Sequence, residues 1–183
     1  PMKIEEYRSL VKEKLLDRLE LIGFKAHGDH LFINQNEACL ALLRVKDKWS
    51  NLTQQAKYLA VVRHNFLPDL DGRDVQGFVE DPALYPFKIN PLKLSKLKVG
   101  IFRKSINYHY HSCNLGHYDT VDIDYGEVNP SATLEEIYDQ ISSHGIDWLN
   151  SLTPDEAARQ VTENGNQDYI EKIWIESYAK HGY

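Results

Sequence analysis

The chain has only two cysteines in 183 residues, Cys39 within an apolar run and Cys113 in a polar stretch. That excludes the dense, even-numbered framework of a disulfide-stapled secreted domain and predicts a reducing, cytoplasmic setting. Long apolar runs are missing as well. The longest, Cys39 to Leu43 and Tyr58 to Val62, fall far short of the roughly 20 residues that span a bilayer, so no membrane partner is expected. The opening residues, PMKIEEYRSL, lack the apolar stretch and small-residue cleavage site of a secretory leader. No phosphate-cradling glycine loop, zinc-protease helix, nucleophile elbow or paired CxxC is present, so none of the chemistries those motifs mark is indicated. Acidic residues are absent from Pro82 to Tyr118, although the whole chain carries a formal charge of −6.

What is there describes an ordinary globular protein. Apolar residues make up 42% and charged residues 26%, which is enough to bury one core and far from the composition of disordered chains. The net charge argues against wholesale binding of polyanions. The acid-free stretch nonetheless holds Lys88, Lys93, Lys96, Lys98, Arg103 and Lys104, a local basic segment on an acidic background.

Periodicity predicts an α+β fold in a single domain, 1–183: an N-terminal helix, a central antiparallel sheet of about four to six strands, and a C-terminal cluster of about three helices. Ile4, Tyr7, Val11, Leu15, Leu19 and Ile22 recur at three- and four-residue spacing over 1–23, the stripe of an amphipathic helix. Gly23 is placed to end it, with Phe24 folding back as the hydrophobic partner. Strands are expected over 31–66, after a Gly28-Asp29 turn. Ala38 to Val45 reads as a central strand covered on both faces, and Tyr58 to Phe66 reads as strand more than helix because Val61, Val62 and Pro68 suit a strand end. Pro68, Pro82, Pro86 and Pro91 with Gly72 and Gly77 predict a long loop over 67–95 without regular structure. A β-hairpin is expected over 97–126 and helices over 131–183, with Thr133 and Glu136 as a capping box and Thr153, Pro154 and Glu156 as a second start signal.

The hairpin carries the most specific pattern. With Leu115 and Gly116 as turn residues, Ile106, Tyr108, Tyr110, Val121, Ile123 and Tyr125 share one face, and His109, His111, Asp122 and Asp124 share the other. Imidazoles beside carboxylates are ligand types for zinc or another divalent metal, with Cys113 and His117 nearby. They also suit general acid or base chemistry, and the simplest reading is a solvated sheet face with a His–Asp pair. His27 and His30 flank the Gly28-Asp29 turn and read as solvated. Lys88, Lys93, Lys96 and Lys98 are candidates for contact with an acidic protein partner or, secondarily, a nucleic-acid backbone.

The segments LLDRLELIGFKAHGDHLF and ISSHGIDWLNSLTPDEAARQVTENG, with YLAVVRHNF between them, resemble a group of bacterial domains of unknown function that run helix, antiparallel sheet, helix, some of them near toxin–immunity loci. The resemblance implies a bacterial or phage accessory role and carries no catalytic residues with it. The expected function is protein binding, of an immunity or defence-associated kind, through the loop from Asp69 to Pro91 and the neighbouring sheet. A metal-binding or metal-dependent hydrolase domain on the hairpin is the alternative, and weak nucleic-acid binding through 88–104 a second one.

Overall fold

The computed structural model describes residues 2–46, 53–97, 118–164 and 170–181. The chain opens with α1 (Ile4–Val11), a five-residue π-helical segment (Lys12–Leu16) and α2 (Asp17–Leu21), which run on without interruption. Glu6 reaches back to the Lys3 N–H at 2.8 Å to start this helix. It stops as its sequence demands. Gly23 takes φ +106°, its N–H bonds to the Glu20 carbonyl at 3.1 Å, and the Phe24 N–H bonds to the Leu19 carbonyl at 3.2 Å, the paired closure of a Schellman motif. Phe24 and Leu19 are both buried, whereas Ile22, the last member of the expected stripe, is 45% exposed because the helix has already ended.

Among the described residues six antiparallel strands follow: β1 (Lys25–His27), β2 (His30–Gln35), β3 (Ala38–Val45), β4 (Gln55–His64), β5 (Phe87–Ile89) and β6 (Val121–Asp124). The order is β1-β2-β3-β4-β5, with β6 also paired to β4. The far edge of β4 is thus divided: Gln55 to Tyr58 takes β6, and Ala60 to Val62 takes β5. Tyr58 to Phe66 is strand up to His64, as the β-branched pair Val61-Val62 indicated.

The sheet has two differently covered faces. Leu31, Leu40, Leu42, Tyr58, Ala60, Val62, Val121 and Ile123 point into the main core with Tyr7, Leu15 and Leu19 of the N-terminal helix and Leu134, Ile137, Ile141 and Trp148 of the C-terminal helices. Cys39, Ala41, Leu43, Leu59 and Val61 point the other way and are capped by Tyr85 with Phe78 and Val79. A loop therefore does for the second face what a helical layer does for the first, which is why β3 reads as a continuous apolar run.

That loop contains regular structure, contrary to expectation. Pro82–Leu84 and Pro91–Lys96 are 3₁₀ turns and Phe87–Ile89 is β5. The prolines act as starters: Asp81 and Asn90 each accept a hydrogen bond from the backbone N–H two residues on, at 2.9 and 3.0 Å, with proline at the position between.

At the C-terminal end lie α3 (Ser131–Gln140), a second π-helical segment (Ile141–Gly145), α4 (Ile146–Ser151), α5 (Pro154–Asn164) and α6 (Ile170–His181). α3 begins at the expected 131 but not through the Thr133–Glu136 capping box: the Asn129 side chain accepts the Ser131 N–H at 3.0 Å and Pro130 already holds a helical φ of −79°. The start at Thr153 is as expected, its hydroxyl accepting the Glu156 N–H at 3.2 Å. The expected second strand of the hairpin is β6, here paired with β4, and its residues sort as anticipated: Val121, Ile123 and Tyr125 are buried, Asp122 exposed and Asp124 half-buried. The residues expected to form the first strand of that hairpin lie outside the described residues.

A candidate site between the first turn and the loop wall

The loop over the second sheet face is anchored from beneath by Arg63. This guanidinium is wholly buried on β4. Its Nη1 donates to the carbonyls of Val75 and Gly77 at 3.0 and 3.1 Å, and its Nη2 donates to that of Leu67. Asn65 adds a second tie, its side-chain oxygen accepting the Gly77 N–H at 2.9 Å. The Tyr85 hydroxyl donates to the Val79 carbonyl at 2.8 Å and accepts the Val79 N–H at 3.1 Å. A long irregular segment is fixed by these bonds because a buried carbonyl without a donor is costly. Cys39, directly across the ladder from Arg63, lies under this cover. Burial pushes its thiol up to about 12, so it is an unreactive core residue.

The fixed loop places Glu80 and Pro82 as one wall of an open cleft of about 380 Å³, whose other wall is Gly28, Asp29, His30 and Leu43 to Lys46. The turn between β1 and β2 makes this geometry. Gly28 takes φ +59° and Asp29 follows it, so the two-residue hairpin projects the Asp29 carboxylate toward the end of β3. There its Oδ2 meets Lys46 Nζ at 2.8 Å and Arg44 Nη1 at 3.5 Å. Partial burial alone would raise the Asp29 pKa, but the Lys46 hydrogen bond and the Arg44 charge outweigh it and hold the carboxyl below its ordinary value. Arg44 is itself mostly buried, with its guanidinium 5.8 Å from the ring centroid of Tyr7.

His30 is half-buried, not solvated as the sequence implied. Its Nδ1 accepts the Arg44 backbone N–H at 3.1 Å, which fixes the neutral tautomer with the proton on Nε2. Burial holds its pKa below the usual value. His27 is exposed as expected, and pairs with Glu80 across the cleft mouth at 3.0 Å. Phe78 underlies both imidazoles, 5.5 Å from His27 and 5.8 Å from His30, and stacks on Phe32 at 4.7 Å.

The sites expected from the sequence fare differently. His109 and His111 lie outside the described residues. Asp122 accepts from the Thr120 hydroxyl, and Asp124 accepts the N–H groups of Gly126 and Glu127 at 3.1 and 3.2 Å, which makes it a turn residue. Among the described residues no group of His, Cys, Asp or Glu stands close enough to hold a metal ion. Lys88 is buried, its Nζ 5.6 Å over the ring of Tyr118. Lys93 is paired with Asp119 at 2.7 Å, Lys96 is exposed, and Lys98 lies outside the described residues. The local signals for the cleft are weak: a Gly-Asp turn flanked by histidines, and Arg44 and Lys46 ending an apolar run.

No family model, curated protein or solved structure matches this chain. No helix among the described residues is long and apolar enough to cross a membrane.

Proposed function

We propose that the chain is a protein-binding domain, an accessory factor of the immunity or defence kind, whose contact surface is the loop from Asp69 to Pro91 together with the adjoining end of the sheet. One observation carries this reading. The buried Arg63 fastens the loop to the sheet, so Glu80 and Pro82 stand as a fixed wall opposite the charged β1–β2 turn. A surface ordered in advance binds with less entropy to lose, and a concave rim of charged side chains gives orientation and selectivity.

The test is quantitative affinity purification with the wild-type chain and with Lys46→Glu, whose side chain is exposed, followed by direct titration of the recovered protein. The expected result is a partner retained by the wild type and lost by the variant, with near-ultraviolet circular dichroism unchanged. Equal retention by both, or no reproducible partner, would overturn the proposal.

A further inference from the structure

We infer that the cleft accepts a carboxylate carried by a partner protein, and that Asp29 occupies the place of that carboxylate in the free chain. The inference rests on the protein-binding reading and assigns the chemistry of what is bound. Two cations, Lys46 and Arg44, address the same oxygen of Asp29, at 2.8 and 3.5 Å. A third donor, the Nε2–H of His30, belongs to the same lining and is fixed in that tautomer by the Arg44 backbone. The turn carboxylate is the acid that both cations address, while the other acid of the cleft, Glu80, stands on the facing wall with His27 at 3.0 Å.

The occupant is exchangeable. Asp29 lies on a two-residue turn with 41% of its side chain exposed, and Lys46 is 57% exposed, so rotation about the Asp29 side-chain bonds would release both cations without moving a strand. Leu43 and Val45 add apolar lining beside them. The complementary group is therefore an Asp or Glu side chain next to an apolar one on an extended segment. A polyphosphate backbone fits less well, because its successive charges would run past the two cations and onto Glu80.

The experiment is fluorescence anisotropy of a short labelled peptide alternating Glu and Val, with a Gln-for-Glu peptide as control, titrated with the full chain. The Glu peptide should bind in a salt-sensitive way and the Gln peptide should not. Asp29→Asn, which keeps a good turn residue, should tighten binding about fivefold by removing the internal competitor, while Lys46→Glu should weaken it about tenfold or more. Thermal unfolding of both variants serves as the folding control, and Lys46→Gln repeats the test if Lys46→Glu is unstable. Equal binding of the Gln peptide, unchanged or weaker binding by Asp29→Asn, or preferential binding of single-stranded DNA would each overturn the inference. If Lys46→Glu still abolishes partner recovery in that case, the interface stands and only its carboxylate chemistry falls.

Discussion

His64 is buried on β4 with Nε2 at 2.6 Å from the Leu152 carbonyl and, among the described residues, no partner for Nδ1. A carbonyl only accepts, so the ring is neutral with its proton on Nε2. Burial lowers its pKa to about 4 from an ordinary 6.5. The unfolded chain therefore takes up a proton that the folded chain refuses. The resulting stability is complete above pH 6.5 and is lost as pH falls toward 4, a difference of about 3 kcal/mol at one pKa unit per 1.36 kcal/mol. Urea midpoints at several pH values should show this slope, and His64→Gln, which keeps a donor without a proton to gain, should flatten it. Arg63 is the other residue whose loss would be severe. Arg63→Met leaves the carbonyls of Leu67, Val75 and Gly77 without their donor and should cost about 3 kcal/mol. In a Cys113→Ser background it should also speed labelling of Cys39 by a thiol reagent, because the loop is the cover over that thiol; unchanged labelling would show that the loop holds without Arg63.

At the level of elements, the hairpin between β2 and β3 turns through Asn36 and Glu37, both with positive φ, 54° and 60°. Asparagine accepts that conformation and glutamate does not, at a cost of about 1 kcal/mol. Glu37→Gly gives the Asn-Gly pair favoured in such turns and should raise the melting temperature by a few degrees, measured by calorimetry. Elements with local chemistry are legible in the sequence: Gly23-Phe24 as a helix stop, Thr153-Pro154 as a start, and β3 from an unbroken apolar run. β1 is not, because its three residues are all exposed and show no alternation. The 3₁₀ turns escape a local reading because Asp81-Pro82 and Asn90-Pro91 look like breakers, whereas in the fold they cap and begin a turn. The cleft is hidden for a third reason: Asp29, Arg44 and Glu80 are far apart in sequence, and only the strand register and the loop anchor bring them together.

Across the whole molecule, the α+β class and the antiparallel sheet follow from periodicity, whereas the covering of the second face does not. Nothing in the composition of 67–86 distinguishes a loop packed on a sheet from one in solvent; the deciding residue, Arg63, sits in a strand and reads locally as an interruption in an apolar run. The cleft is a product of this global arrangement, since one wall belongs to the first hairpin and the other to the loop that follows β4.

The divided edge of β4 also sets an order of events in folding. β1 through β4 succeed one another as neighbours, so their pairing closes short loops, whereas β6 must return to β4 from far along the chain and meets a larger entropic cost before any contact rewards it. Substitutions that weaken the β2–β3 ladder, such as Leu42→Ala, should slow refolding, and those in β6, such as Ile123→Val, should chiefly hasten unfolding, as read from the two arms of a denaturant chevron. A single strand thus serves as the last rung of an early ladder and the first rung of a late one.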